Sequence, residues 1–130
     1  MVKHTRLLQI AAALIGSFCA LTLATVADAA EPIVVQNLYY PKPGLEADVL
    51  RTRLEASAVR RKLGLQVGRV LSRTNPTTGE PYVIWECDYP SLEAREKDAA
   101  AAENAPEFKA VQARMSPLLA SFERSVWLVH

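Results

Sequence analysis

Few residues in this chain carry the chemistry needed to catalyse or to bind, and they gather on two short stretches. Asn37 sits inside IVVQNLYY, an otherwise largely apolar run. A primary amide there must find hydrogen-bond partners or cost roughly 1–3 kcal/mol. Either neighbouring backbone satisfies it, or it holds an oxygen of a bound molecule in a dry pocket. Trp85 lies in YVIWECDY, where its ring is either core or a pocket wall. Glu86 and Asp88 fall on the opposite strand face from Trp85. Carboxylates at that spacing suit acid–base work, or cross-strand pairing with Arg69 or Arg73. Arg114 and Arg124 could take an anionic group, although nothing in their spacing requires one.

The inventory excludes as much as it offers. Beyond residue 30 the sequence holds one cysteine, Cys87, so no intramolecular disulfide is possible there. Cys87 shares a strand face with Trp85, which fits a buried, inert thiol better than a reactive one. His130 is the only histidine in the same span. A zinc, haem or Ser-His-Asp site cannot be assembled from this set, and no metal or cofactor is expected.

Residues 1–30 read as a secretory signal peptide. Lys3, His4 and Arg6 precede an almost unbroken apolar run from Leu7 to Val26, and Ala27-Asp28-Ala29 supplies a small-x-small cleavage pattern. A retained anchor is the alternative. The absence of a basic stop-transfer flank favours cleavage after Ala29 or Ala30, a periplasmic or secreted destination, and no membrane attachment afterwards. Residues 31–130 are then one domain of modest core. Taking Lys3 and Arg6 from fifteen basic residues, and Asp28 from fourteen acidic ones, leaves thirteen of each. A neutral chain lacks the basic face that nucleic acid requires. Arg60-Arg61-Lys62 reads as a solvated helix face.

The elements that position these residues follow from periodicity. Ile33 to Tyr40 is a first strand with apolar residues on both faces, interrupted by Gln36 and Asn37. Leu45 to Leu63 is a helix with Ala47, Leu50, Leu54 and Ala58 at helical spacing, and Gly64 ends it. Leu65 to Arg73 is a polar strand suited to an edge, and the turn cluster Asn75 to Glu80 makes a hairpin with the next strand. Tyr82 to Tyr89, rich in aromatic and branched residues, asks for a central place. Pro90 ends it and Ser91 caps an alanine-rich helix to Glu103. Pro106 opens a further helical segment through Phe108, Val111 and Met115 to about Leu119, bent or ended at Pro117. Ser125 to Val129 is the last strand.

The order is β-α-β-β-α-β. Two split β-α-β units predict an α+β, ferredoxin-like fold: a four-stranded antiparallel sheet with helices on one face. Those helices leave the other face bare, although three strands carry apolar residues there. A second copy of the chain is the simplest cover, so a homodimer is expected.

The stretch Val83 to Lys97 (VIWECDYPSLEAREK), with this order of elements, resembles the dimeric α+β barrel superfamily. Three pieces are similar to its NIPSNAP-like group: Tyr39 to Gly44 (YYPKPG), Trp85 followed by Tyr89-Pro90-Ser91-Leu92-Glu93-Ala94-Arg95, and Ala105-Pro106-Glu107-Phe108-Lys109. The likeness spans about Ile33 to Val129. It implies two sheets packed as a barrel in a homodimer, and a cavity between each sheet and its helices that takes a small aromatic or apolar ligand. Some members of the superfamily are cofactor-independent monooxygenases of polycyclic phenols and others degrade haem, with an Asn, a Trp and often a His or Tyr in the pocket. Carried onto this chain, the resemblance nominates Asn37, Tyr39 and Trp85, with Tyr40, Tyr82 and Tyr89 nearby. The missing internal histidine speaks against haem degradation. Two functions remain: an exported, ligand-binding dimer, or a cofactor-independent monooxygenase acting on a phenolic or quinol substrate.

Overall fold

The computed structural model describes residues 30–130, so all but the last residue of the segment read as a signal peptide lies outside it. The chain runs β1 (Ile33–Pro41), α1 (Glu46–Lys62), β2 (Arg69–Ser72), β3 (Val83–Tyr89), α2 (Leu92–Asn104), α3 (Pro106–Met115), a single 3₁₀ turn, and β4 (Leu119–Leu128). The strands form one antiparallel sheet in the order β2-β3-β1-β4. This is the ferredoxin-like arrangement. The central places go to β1 and β3, the strands richest in branched and aromatic residues.

Alternation along these two strands separates the faces. Ile33, Val35, Asn37 and Tyr39 of β1, with Val83, Trp85, Cys87 and Tyr89 of β3, are buried beneath the helices. Val49 of α1 and Met115 of α3 close this core. A second cluster joins the helices to one another through Ala56, Ala102, Phe108 and Val111. The register aligns Trp85 with Asn37 and Asn37 with Arg124, so three chemically distinct side chains share one row across β3, β1 and β4.

The helix ends follow their sequence signals. Ser91 accepts a hydrogen bond from the Ala94 amide at 3.1 Å, and Pro106 occupies the first turn of α3. At the end of α1, Gly64 is left-handed. The Gly64 amide donates to Arg61 O and the Leu65 amide to Arg60 O, closing a Schellman motif.

Three expectations are corrected. The buried stripe of α1 is Val49, Thr52, Arg53, Ala56, Ser57 and Arg60; of Ala47, Leu50, Leu54 and Ala58 only Leu50 packs, half-buried, against the core. Leu54 is exposed and the helix is rotated by about one residue, ~100°. Arg60 therefore lies inside the protein, whereas Arg60-Arg61-Lys62 read as a solvated face. Strand β2 begins only at Arg69, because Gly68 adopts φ +66° and breaks the ladder before it. Strand β4 starts at Leu119 rather than Ser125. Pro117 stops the helix, and pairing with β1 imposes strand geometry on a stretch with weak strand character.

Opposite the helices, Val34, Leu38 and Ile84 are half-buried, and Leu71 and Trp127 are exposed. A polar row crosses this open face. Trp127 Nε1 donates to Gln36 Oε1 at 3.1 Å, Gln36 Nε2 donates to Glu86 Oε2 at 2.7 Å, and Arg69 Nε donates to Glu86 Oε1 at 2.9 Å. The expected cross-strand pairing of Glu86 with Arg69 is thus present, and Asp88 is solvent-exposed.

Candidate functional site

A cavity of about 330 Å³ lies between the helix-side face of the sheet and the three helices. Asn37, Tyr39 and Trp85 all line it. Alternation aims all three at the helices, and pairing of β1 with β3 places them together. Tyr89 also lines the cavity, whereas Tyr40 faces the open side and donates to Glu123 at 3.1 Å. Phe108, Val111 and Met115 of α3 supply apolar wall, and Phe122 and Arg124 of β4 stand beside them.

Asn37 is satisfied by a side chain rather than by neighbouring backbone: its Oδ1 accepts from Arg124 Nε at 2.8 Å. Trp85 Nε1 donates to the Val67 carbonyl at 2.7 Å, which fixes the indole as a flat partition. The backbone at Gly68 approaches that ring so closely that a Cβ would stand 2.8 Å from the indole nitrogen and 2.5 Å from the Glu86 carbonyl. Tyr39 meets Phe122 edge to face, with centroids 5.2 Å apart.

Two buried arginines, unforeseen from the sequence, dominate the electrostatics. Arg53 and Arg60 lie two turns apart on the buried stripe of α1. Their guanidinium carbons sit 5.0 and 5.2 Å from the Trp85 ring centroid, in cation–π range. Arg60 is fully engaged. It forms an ion pair with Asp98, donates to the Gln66 carbonyl at 2.6 Å, and reaches the Tyr89 hydroxyl at 3.3 Å. Tyr89 in turn donates to Asp98 Oδ2 at 2.7 Å, and the Gln66 amide donates to Oδ1 at 2.9 Å. Burial, and then the bond to Asp98, push the Tyr89 phenol well above its usual range, so it stays protonated. Burial likewise raises the Cys87 thiol, in keeping with an inert cysteine.

Arg53 is different. It is 4 % exposed, a terminal nitrogen donates to Ser57 Oγ at 3.2 Å, and the Tyr39 phenol lies beside the guanidinium. Its Nε has no partner, and no Asp or Glu among the described residues pairs with it. Burial pulls its pKa below the ordinary arginine value. The sequence did contain a signal: Val49, Arg53, Ala56 and Arg60 recur at helical spacing, an alternative stripe that sets two arginines inward.

Comparison with known proteins bears on the fold. No protein-family model matches the chain, and no curated protein does. Solved structures match over most of its length. A NIPSNAP family protein from Agrobacterium tumefaciens superposes with a TM-score of 0.61 at 23 % identity, covering 78 % of this chain and 88 % of that one. The fold is ferredoxin-like. A dimeric ferredoxin-like protein of unknown function from Thermobifida fusca matches at TM-score 0.54 and 15 % identity, covering 80 % and 96 %. SnoaB, a cofactor-independent oxygenase from Streptomyces nogalater, matches at 0.57 and 15 %, covering 78 % and 95 %. At such identities the likeness is one of architecture, and it agrees with the NIPSNAP-like and dimeric α+β barrel resemblance of the sequence.

Proposed function

We propose that this protein is an exported homodimer that binds a small apolar or aromatic molecule in the cavity between sheet and helices. The carrying observation is the cavity itself. Its volume of about 330 Å³ lies at the low end of ligand pockets, roughly 300–1,000 Å³. Its walls combine apolar side chains with a few convergent polar groups, and Asn37, Tyr39 and Trp85 share it. Thermal-shift screening of the purified protein against aromatic acids and quinols tests the reading. A ligand that stabilises the wild type, but not a variant with Val111 enlarged to Trp, supports it; an unresponsive wild type refutes it.

Dimerisation is proposed on the open sheet face. Val34 and Trp127 on one side of the polar row, and Leu38, Leu71 and Ile84 on the other, leave apolar side chains on this face. The Thermobifida fusca neighbour is itself a dimer. Pairing two such faces would bury this surface in a symmetric interface. Sedimentation at low micromolar concentration should show a dimer, and a monomer alone would refute the assembly. Export rests on the apolar segment preceding residue 30, and an intact mass that still contains it would overturn cleavage.

A cofactor-independent monooxygenase acting on a phenol or quinol is the second reading, favoured by the architecture shared with SnoaB. The polar groups favour binding over catalysis. Asp98 is held by Arg60, Tyr89 and the Gln66 amide, which leaves no free carboxylate deep in the cavity to act as a base. Oxygen uptake with a quinol panel separates the two.

A further inference from the structure

An arginine buried without a counter-ion is costly to keep. Moving a guanidinium out of water demands hydrogen bonds and an opposite charge, and a folded chain supplies both or uses the site for something else. Arg60 shows what full supply looks like here: a carboxylate, a carbonyl and a hydroxyl. Arg53, two turns earlier, has the Ser57 hydroxyl, the Tyr39 phenol and the face of Trp85 but no carboxylate, and its Nε is shielded from solvent with nothing to donate to.

The surroundings sharpen this contrast. Arg124 stands at the mouth of the same cavity, its Nε given to the neutral Asn37 and not to a carboxylate. The cavity lining includes two carboxylates, Asp98 and Glu103. The first belongs to Arg60, and the second is exposed and pairs with no arginine. Trp85 lies against Arg53, and Phe108, Val111 and Met115 add apolar wall to the same cavity. The missing partner is therefore a small anion with an apolar body.

We infer that the Arg53 end of the cavity is a receptor for the oxyanion of a small organic acid, with Arg124 as a second cation at the mouth and the ligand's body against Trp85 and Phe108. This deepens the ligand-binding reading and rests on it. A bound carboxylate would accept from the Arg53 guanidinium and neutralise it, a charge-assisted bond. A neutral ligand of the same shape would fill the apolar space and leave Arg53 as it is.

The test compares 2-naphthoate with 2-naphthalenemethanol, its neutral isostere, and with 2-naphthol, by titration calorimetry at neutral pH on the full folded domain. Naphthoate is expected to bind about tenfold to a hundredfold more tightly than the alcohol, the range a charge-assisted hydrogen bond supplies. Arg53→Met should bring the naphthoate-to-alcohol affinity ratio to about one, and Arg124→Gln at the exposed mouth should reduce the ratio in part. A tight 2-naphthol complex that shows phenolate absorbance would assign the oxyanion to a phenolate instead of a carboxylate. Equal binding of naphthoate and alcohol by the wild type overturns the anion receptor and leaves the ligand cavity standing. Binding of none of the three overturns both. Should Arg53→Met fail to fold, Arg53→Gln and the Arg124→Gln series decide the matter by the same ratio.

Discussion

The two ends of the cavity are built from the same parts and are finished differently. Both place an arginine of α1 against one face of Trp85, and both bury it. At the Arg60 end the charge is neutralised by Asp98 of α2, and the pair is locked by Tyr89 and by the backbone of Gln66. At the Arg53 end the charge meets neutral groups only, the Ser57 hydroxyl and the Tyr39 phenol, beside the open cavity. One end holds the helices to the sheet. The other is left for a partner the chain does not supply. A buried guanidinium is thus a strut or a receptor depending on whether a carboxylate faces it.

The largest expected effect comes from breaking the finished end. Asp98→Ala leaves Arg60 buried without its counter-ion and the Tyr89 hydroxyl without its acceptor, and should destabilise by about 3–5 kcal/mol in urea unfolding. A loss below about 1 kcal/mol would mean that the two ends do not differ in kind. Next comes the partition they share. Gly68→Ala puts a methyl into the indole and the Glu86 carbonyl at positive φ, where side chains are strained, and should cost about 1–3 kcal/mol. Shifted near-ultraviolet dichroism of Trp85 would accompany it.

Arg53→Met is predicted to have the opposite sign. It removes an uncompensated buried charge and fills the same space with an apolar chain, so stability should rise by about 1 kcal/mol. A destabilisation comparable to Asp98→Ala would break the comparison. The smallest effect belongs to the solvated counterpart, Arg69–Glu86 on the open face. The Gln36 amide and then Arg69 hold the Glu86 carboxyl below its usual range. Its contribution is therefore complete above the unfolded value, about pH 4.3, and is lost as pH falls through the lower folded value. Glu86→Gln should slightly flatten the acid limb of a stability–pH curve.

Much of this architecture was legible in the sequence because period-two alternation in IVVQNLYY and YVIWECDY is strong, and because Ser91, Pro106 and Gly64 punctuate the helices. Alternation put Asn37 and Tyr39 on one face of their strand, but it was the resemblance that nominated them together with Trp85, and the pairing of β1 with β3 that joined them. The buried arginines were not legible. A helix whose inward stripe is Val, Thr, Arg, Ala, Ser and Arg has little hydrophobic contrast, and the apolar Leu54 and Ala58 pointed to the exposed side. Only the first part of β4, Leu119 to Arg124, escaped, because Ser121, Glu123 and Arg124 blur its alternation and it pairs only with β1, a contact distant in sequence. Asp98 read as one charge among many in α2 until tertiary contact gave it a role.

The segment between α1 and β2 has neither helix nor strand, yet its backbone is held as firmly as a ladder would hold it. The Gln66 amide is given to Asp98, the Gln66 carbonyl takes Arg60, and the Val67 carbonyl takes Trp85. Side chains from three different elements thus do the work of an adjacent strand. In deuterium-exchange terms, the Gln66 amide should exchange slowly despite lying in a loop, and its rate should report on the Arg60–Asp98 pair. An irregular connection can be one of the quietest parts of a protein when its peptide groups are pinned from the side.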